Sequence, residues 1–162
     1  MTKDAKRKIK IYAAAIALPL AVGGLSALLT MGNMDIYETL QTPPGAPPPW
    51  LFPVVWTVLY ILMGVSSARV WLEWERAPHF ADRGLSAYIL SLGFNFCWSI
   101  FFFNYRALLF SFWWLVVLWL LILLTIRLYR RVSPGAAYLQ IPYALWVAYA
   151  GYLNLGIWYL NP

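Results

Sequence analysis

Five long apolar stretches, parted by short polar or proline-rich connections, set the architecture of this chain. Ile11 to Leu29 holds no charged residue, and about 20 apolar residues are enough for a helix to cross the hydrocarbon core of a bilayer. The same pattern recurs down the chain. It predicts spans over residues 11–30, 51–72, 85–105, 107–128 and 134–160, in a single membrane domain. The predicted fold is therefore all-α, an integral membrane bundle of five transmembrane helices. A secretory signal also joins a basic start to an apolar run, but its core is typically only about 7–15 residues long. A retained span is the better reading. Ala13, Ala17, Ala21 and Gly24 fall close to one face of it and would suit tight helix packing.

The connections carry their own signals. Residues 31–50 form the first, in which Asp35 to Leu40 could make a short amphipathic turn at the membrane interface. The prolines that follow fix φ and remove backbone donors, predicting a stiff, extended Pro43 to Pro49. Such a segment could serve as an SH3-like ligand; its place between two spans favours a folded external lid. Glu73 to Gly84, with His79, reads as a short polar loop. Ser133-Pro134 is a helix start, with Ser as cap and Pro at the first helical position, and Pro142 should bend the last helix near its basic end.

Composition strengthens the membrane reading. The chain is 62% hydrophobic, 19% aromatic and only 11% charged, against about 25% charged for a soluble domain. Its net charge of +6 does not point to nucleic acid, because the cations sit at span ends and in the N-terminal tail. Eleven of the twelve Lys and Arg lie in the tail and in the second and fourth connections, leaving only Arg106 on the other side. By the positive-inside rule the N-terminus is inside, and the lid and C-terminus are outside. No ionisable residue lies deep in a span, so a proton relay or ion path has no carrier. The single cysteine, Cys97, excludes an internal disulfide and reads as a packing residue. One histidine cannot build a His-rich metal site, and no metal is expected.

What chemistry remains is aromatic. The stretch around Pro49 delivers Trp50 to the mouth of the second span, where Phe52, Trp56 and Tyr60 follow at i, i+4 and i+8 on one helical face. This reads as the first wall of a pocket. Tryptophan is also a common interface anchor, the reading assigned to Trp71, Trp74, Trp113, Trp114, Trp119 and Trp158. Asn95 and Asn154 are amides within spans; Asn154 is assigned to helix–helix hydrogen bonding, whereas Asn95 stays open between that role and ligand contact.

Four segments carry a family resemblance: Tyr37 with Leu40 and Pro43, then PPPWLFPVVWTVLYILMG, FNFCWSIFFFN from Phe94, and VSPGAAYLQIPYALWVAYAGYLN from Val132. In order and spacing they resemble the translocator protein family, also called tryptophan-rich sensory proteins or peripheral-type benzodiazepine receptors. The resemblance implies a five-helix bundle, usually a homodimer in the bilayer, that binds small hydrophobic ligands. These are porphyrins (protoporphyrin IX or haem), haem-pathway intermediates, sterol-like lipids and benzodiazepine-type drugs. Carried over by position, the pocket is lined by Phe52, Trp56, Tyr60, Asn95, Trp98, Trp146, Ala150 and Leu153. Trp56 and Trp146 correspond to tryptophans implicated in light-dependent porphyrin breakdown by some bacterial relatives. Thr42 and Gly45 replace a lysine and a tryptophan frequent in the family's lid, and Ser99-Ile100 stands where its third span has a proline. No basic residue follows Tyr152 or Tyr159, so the sterol motif of animal members is absent.

The expectation is thus a receptor or sensor in a bacterial membrane, with porphyrin as ligand and no further cofactor required. A light- and oxygen-dependent porphyrin-degrading enzyme is one alternative, in which Trp56 and Trp146 are catalytic. A porphyrin or lipid transporter is the other.

Overall fold

The computed structural model describes residues 2–35 and 39–162, so the middle of the expected amphipathic turn at Asp35–Leu40 lies outside the described residues. The described chain is built of helices α1 (Lys3–Thr30), α2 (Leu51–Leu72), α3 (Pro78–Ser99), α4 (Leu108–Val132), α5 (Pro134–Leu139) and α6 (Ile141–Leu160). Helices α1 to α4 are each long and apolar enough to cross a membrane. The fifth rod is α5 and α6 together. It breaks at Gln140, because the ring of Pro142 would clash with the carbonyl four residues back and its nitrogen cannot donate to it.

Two helices begin earlier than expected. The basic tail continues the first helix to Lys3, where Thr2 Oγ1 accepts from the Ala5 backbone N–H at 3.3 Å and Lys8 pairs with Asp4. Helix α3 starts at Pro78, which places His79 in a first helical turn rather than in a loop. Its inner stripe of Ala81, Gly84, Tyr88, Ser91 and Asn95 is buried while His79, Asp82 and Arg83 face outward. The helical period was present, but the outward charges made the segment read as loop.

Packing of α1 also differs from expectation. Ala13, Ala17, Ala21 and Gly24 are exposed; the inward face runs through Ala15, Ile16, Pro19, Gly23, Ser26 and Thr30. The deciding contacts come from α2. A Cβ on Gly64 would stand 2.4 Å from Ile16 Cα, and one on Gly23 would stand 2.1 Å from the Tyr60 ring. Both faces of α1 carry small residues, so composition could not choose between them.

At the basic end Ser66 Oγ donates to the Ala136 carbonyl at 2.8 Å, joining α2 to α5. Ser133 is the N-cap residue by position, yet its hydroxyl makes no capping bond and donates instead to Glu73 Oε1 at 3.1 Å. Glu73 is only partly exposed and also holds Arg76, so it draws the hydroxyl across the gap between two connections.

The opposite end is shaped by a π-helical turn, Ile100–Asn104, that ends α3. Arg106 then turns the chain into α4 with φ 49°, a left-handed conformation. For a residue with a Cβ this costs about 1–2 kcal/mol, and glycine's greater unfolded freedom returns part of that, so Arg106→Gly should stabilise the protein by about 0.5–1 kcal/mol. A melting midpoint in detergent that fails to rise would show that the Arg106 side chain contributes more than its backbone costs.

Candidate ligand-binding cavity

Between α2, α3 and α6, at the end opposite the basic connections, lies an apolar cavity of about 140 Å³. Helix α2 contributes Phe52, Pro53 and Trp56; Trp98, Phe102 and Phe103 come from α3 and its π-turn; Ala150, Leu153, Asn154 and Ile157 come from α6. Met34 and Pro49 close it from the first connection.

Each wall follows from local structure. Residues 150, 153, 154 and 157 repeat at i, i+3, i+4 and i+7, one stripe of an α-helix. Trp98 and Phe102 are likewise four apart and stack, with ring centroids at 5.5 Å and an interplanar angle of 29°. Phe103 would sit off that face in a regular α-helix. The wider π-turn brings it in beside Phe102, the two rings meeting edge to face at 5.0 Å. Single π-turns of this kind frequently mark functional sites.

The cavity's polar handle is Asn154, 1% exposed. Its Oδ1 accepts from Trp98 Nε1 at 3.2 Å and its Nδ2 donates to the Leu108 carbonyl at 2.7 Å. One amide therefore fixes an indole ring and ties α6 to the start of α4. Asn95 is spent elsewhere: its Nδ2 donates to Tyr60 Oη at 2.9 Å, inside the bundle.

Of the residues marked in the sequence, Phe52, Trp56, Trp98, Ala150 and Leu153 come together around this cavity, and four do not. Trp50 is 66% exposed, one residue before α2 begins. Tyr60, a turn below Trp56 and stacked on it at 5.4 Å, points toward α1 and lines a separate cleft with Gly23 and Ser26. Trp146 lines an outer groove between α2 and α6 and meets Phe52 of the cavity wall edge to face at 5.9 Å. Asn154 makes the helix–helix hydrogen bonds assigned to it and lines the cavity as well; Phe102 and Ile157 were not singled out, although extending the stripes through Trp98 and Ala150 reaches both. Nothing in the sequence announced the π-turn that supplies Phe103.

The first connection is held down as a lid. Pro43 to Ala46 does not run straight, as expected; Ala46 N–H donates to the Pro43 carbonyl at 3.2 Å, and Gly45 has φ 82°. This is a type II turn, with proline at its second position and the glycine it requires at its third. The turn sits on α6. Tyr149 Oη donates to the Gly45 carbonyl at 2.6 Å and Tyr152 Oη to the Pro44 carbonyl at 2.9 Å. Asn161 takes both backbone groups of Gln41, accepting from N–H at 3.0 Å and donating to its carbonyl at 2.9 Å. Pro43 itself seats against Gly156, where a Cβ would lie 2.6 Å from its Cγ. At the other edge Asn104 of the π-turn donates to the Leu29 carbonyl and accepts from Asn33.

Residues 15–160 match the TspO/MBR family. Among known proteins, "Tryptophan-rich protein TspO" of Chlorobaculum tepidum is 38% identical, over 96% of this chain and 99% of its own. "Protein CrtK" of Rhodobacter capsulatus is 35% identical over 95% of this chain and 94% of its own, and "Translocator protein" of Bos taurus 36% over 89% and 86%. With identity at this level along nearly its whole length, and four membrane-length helices in its bundle, this chain is an integral membrane protein and belongs to the TspO/MBR family.

Proposed function

We propose that this protein is a membrane receptor for a planar hydrophobic ligand, with porphyrins as the class that fits best and benzodiazepine-type fused rings as smaller members of the same shape. The observation that carries this reading is the cavity wall, in which five aromatic side chains surround a single hydrogen-bonded amide. Flat conjugated rings gain from stacking on such faces and from leaving water, while a few polar groups fix their orientation. One relative, of Cereibacter sphaeroides, bears the name "Tryptophan-rich sensory protein" and is 30% identical over 93% of this chain.

The closed volume of about 140 Å³ is below the roughly 300–1,000 Å³ usual for small-molecule pockets. A tetrapyrrole therefore seats only when the lid and Phe103 shift, which makes lid opening the controlling step. Occupancy then alters how the lid rests on α6, a change that a second copy or a partner protein can read. In this reading the lid faces the outer side of a bacterial membrane and the basic end faces inside, an orientation supported by the partition of Lys and Arg along the chain.

Titrating protoporphyrin IX into the purified protein in nanodiscs should quench tryptophan emission with saturation. Trp98→Phe and Trp56→Ala should each weaken binding by about tenfold, whereas Trp146→Ala should weaken it less because Trp146 lines the outer groove and not the cavity. Unsaturable quenching, or native affinity in the first two variants, would refute the assignment. A degrading enzyme is a second reading, favoured by the stack of Trp56 on Tyr60 with Tyr143 edge-on at 6.2 Å, a run of oxidisable rings leading away from the cavity. Illumination of the complex in air separates the two: a bleached Soret band with a new product indicates degradation, and a stable spectrum indicates a receptor.

A further inference from the structure

At the basic end of α4 the side chains change from apolar to cationic along one face. Leu123, Ile126, Arg127, Arg130 and Arg131 stand at i, i+3, i+4, i+7 and i+8, and together they line an open groove of about 600 Å³. The upper part of this ladder is hydrocarbon: Leu123 is exposed and Ile126 partly so. The lower part is three exposed guanidinium groups in the last turns of the helix.

None of the three has a carboxylate partner among the described residues. The ion pairs there are Lys8–Asp4 and Arg76–Glu73, and Asp82 accepts from the Trp74 indole instead. Arg131 is held in place differently, with its guanidinium carbon 5.9 Å from the centre of the Phe80 ring on α3. Such a contact orients the group while leaving its N–H donors free for an acceptor. Guanidinium groups bind phosphate oxygens as a fork, and they are the side chains best suited to that geometry.

We infer that this ladder is a binding site for an anionic phospholipid, whose phosphodiester is held by Arg127, Arg130 and Arg131 while an acyl chain lies along Ile126 and Leu123. The order of the ladder selects the ligand. A soluble anion would use the arginines alone, and a neutral lipid would use the apolar rungs alone; only an amphiphile with a negative head matches both. The site is distinct from the aromatic cavity at the other end of the bundle, so it stands or falls independently of the porphyrin reading.

Native mass spectrometry of the full chain in neutral detergent tests this directly, with phosphatidylglycerol and phosphatidylcholine titrated as separate lipids. The wild type should retain one phosphatidylglycerol at least about tenfold more tightly than phosphatidylcholine, given the attraction expected per basic side chain near a membrane surface. Arg127→Gln/Arg130→Gln/Arg131→Gln should abolish the preference, whereas Lys3→Gln/Lys6→Gln/Lys8→Gln should keep it. Should the triple arginine variant prove unstable, Arg130→Gln alone should still lower the preference severalfold. Equal retention of the two lipids by the wild type, or a preference that survives loss of the arginines, would overturn the proposal. So would inorganic phosphate displacing phosphatidylglycerol at equal concentration, because the apolar rungs would then add nothing.

Discussion

Gly64→Leu is expected to detach α1 from the bundle and to cost about 3 kcal/mol or more, at the upper end of overpacking penalties. The reason is a backbone contact. The first added carbon would lie 2.4 Å from Ile16 Cα and 2.7 Å from the Ala15 carbonyl oxygen, atoms that no rotamer change can move aside. Between membrane helices no bulk hydrophobic force drives association, so close backbone approach at small residues is itself the stabilising contact. Helix α1 is also the least enclosed of the four strongly apolar helices, with only 11% of its span buried. Losing its crossing with α2 leaves it a membrane span with little to hold it in place. The measurements are thermal unfolding in detergent and protease sensitivity at the end of α1. Gly24→Leu is the control: that glycine has open space around it, so its variant should melt like the native protein. If Gly64→Leu melts with it, the helix crossing described above is wrong.

Gly156→Leu is expected to unseat the lid while leaving the bundle folded. A side chain there must occupy the position of the Pro43 ring, 2.6 Å from where its Cβ would be. Lifting Pro43 carries with it the Pro44 and Gly45 carbonyls that Tyr152 and Tyr149 hold. A clash of about 1–3 kcal/mol corresponds to a shift of roughly five- to 150-fold in the closed-to-open ratio. Hydrogen exchange reads this directly at the amides of Gln41 and Ala46, the hydrogen-bonded N–H groups of the lid, which should speed up by that factor while those of α2 and α3 do not. Tyr152→Phe removes one hydrogen bond, a net loss of about 1 kcal/mol, and should give a smaller acceleration at the same amides. If the lid governs access to the cavity, protoporphyrin should also associate and leave faster in the glycine variant. Unchanged lid exchange in Gly156→Leu would mean that α6 does not anchor this segment.

The family and the all-helical bundle were legible because they rest on order and hydropathy. Apolar runs of membrane length cannot fold otherwise in a bilayer, where every backbone group must be satisfied within its own segment. Segments such as FNFCWSIFFFN and VSPGAAYLQIPYALWVAYAGYLN keep the family's spacing whatever the details of packing. The cavity was legible in part. Phe52 and Trp56 share a helical face and do meet around it, but Tyr60, the next residue on that face, is turned against Gly23 of α1 and bonded by Asn95. A face read from periodicity is a broad sector; which part of it meets a neighbour depends on where the neighbour stands.

The two asparagines make the same point in reverse. As bare letters within apolar runs they are equivalent, each an amide that needs partners. Asn95 found Tyr60 beneath the cavity, and Asn154 found Trp98 and the Leu108 carbonyl at its wall. The residues that latch the lid, Tyr149, Tyr152, Gly156 and Asn161, lie more than a hundred positions beyond the segment they hold.

What the sequence determined alone was the number of rods, the basic end and the aromatic stock from which a cavity is built, since hydropathy, charge and residue identity are local properties of the chain. What the tertiary structure decided was which small face of α1 meets α2, which amide faces the cavity, how the π-turn adds Phe103 and where the lid is fastened. Those outcomes depend on ångström-scale distances between segments far apart in the chain, and hydropathy carries no information about them.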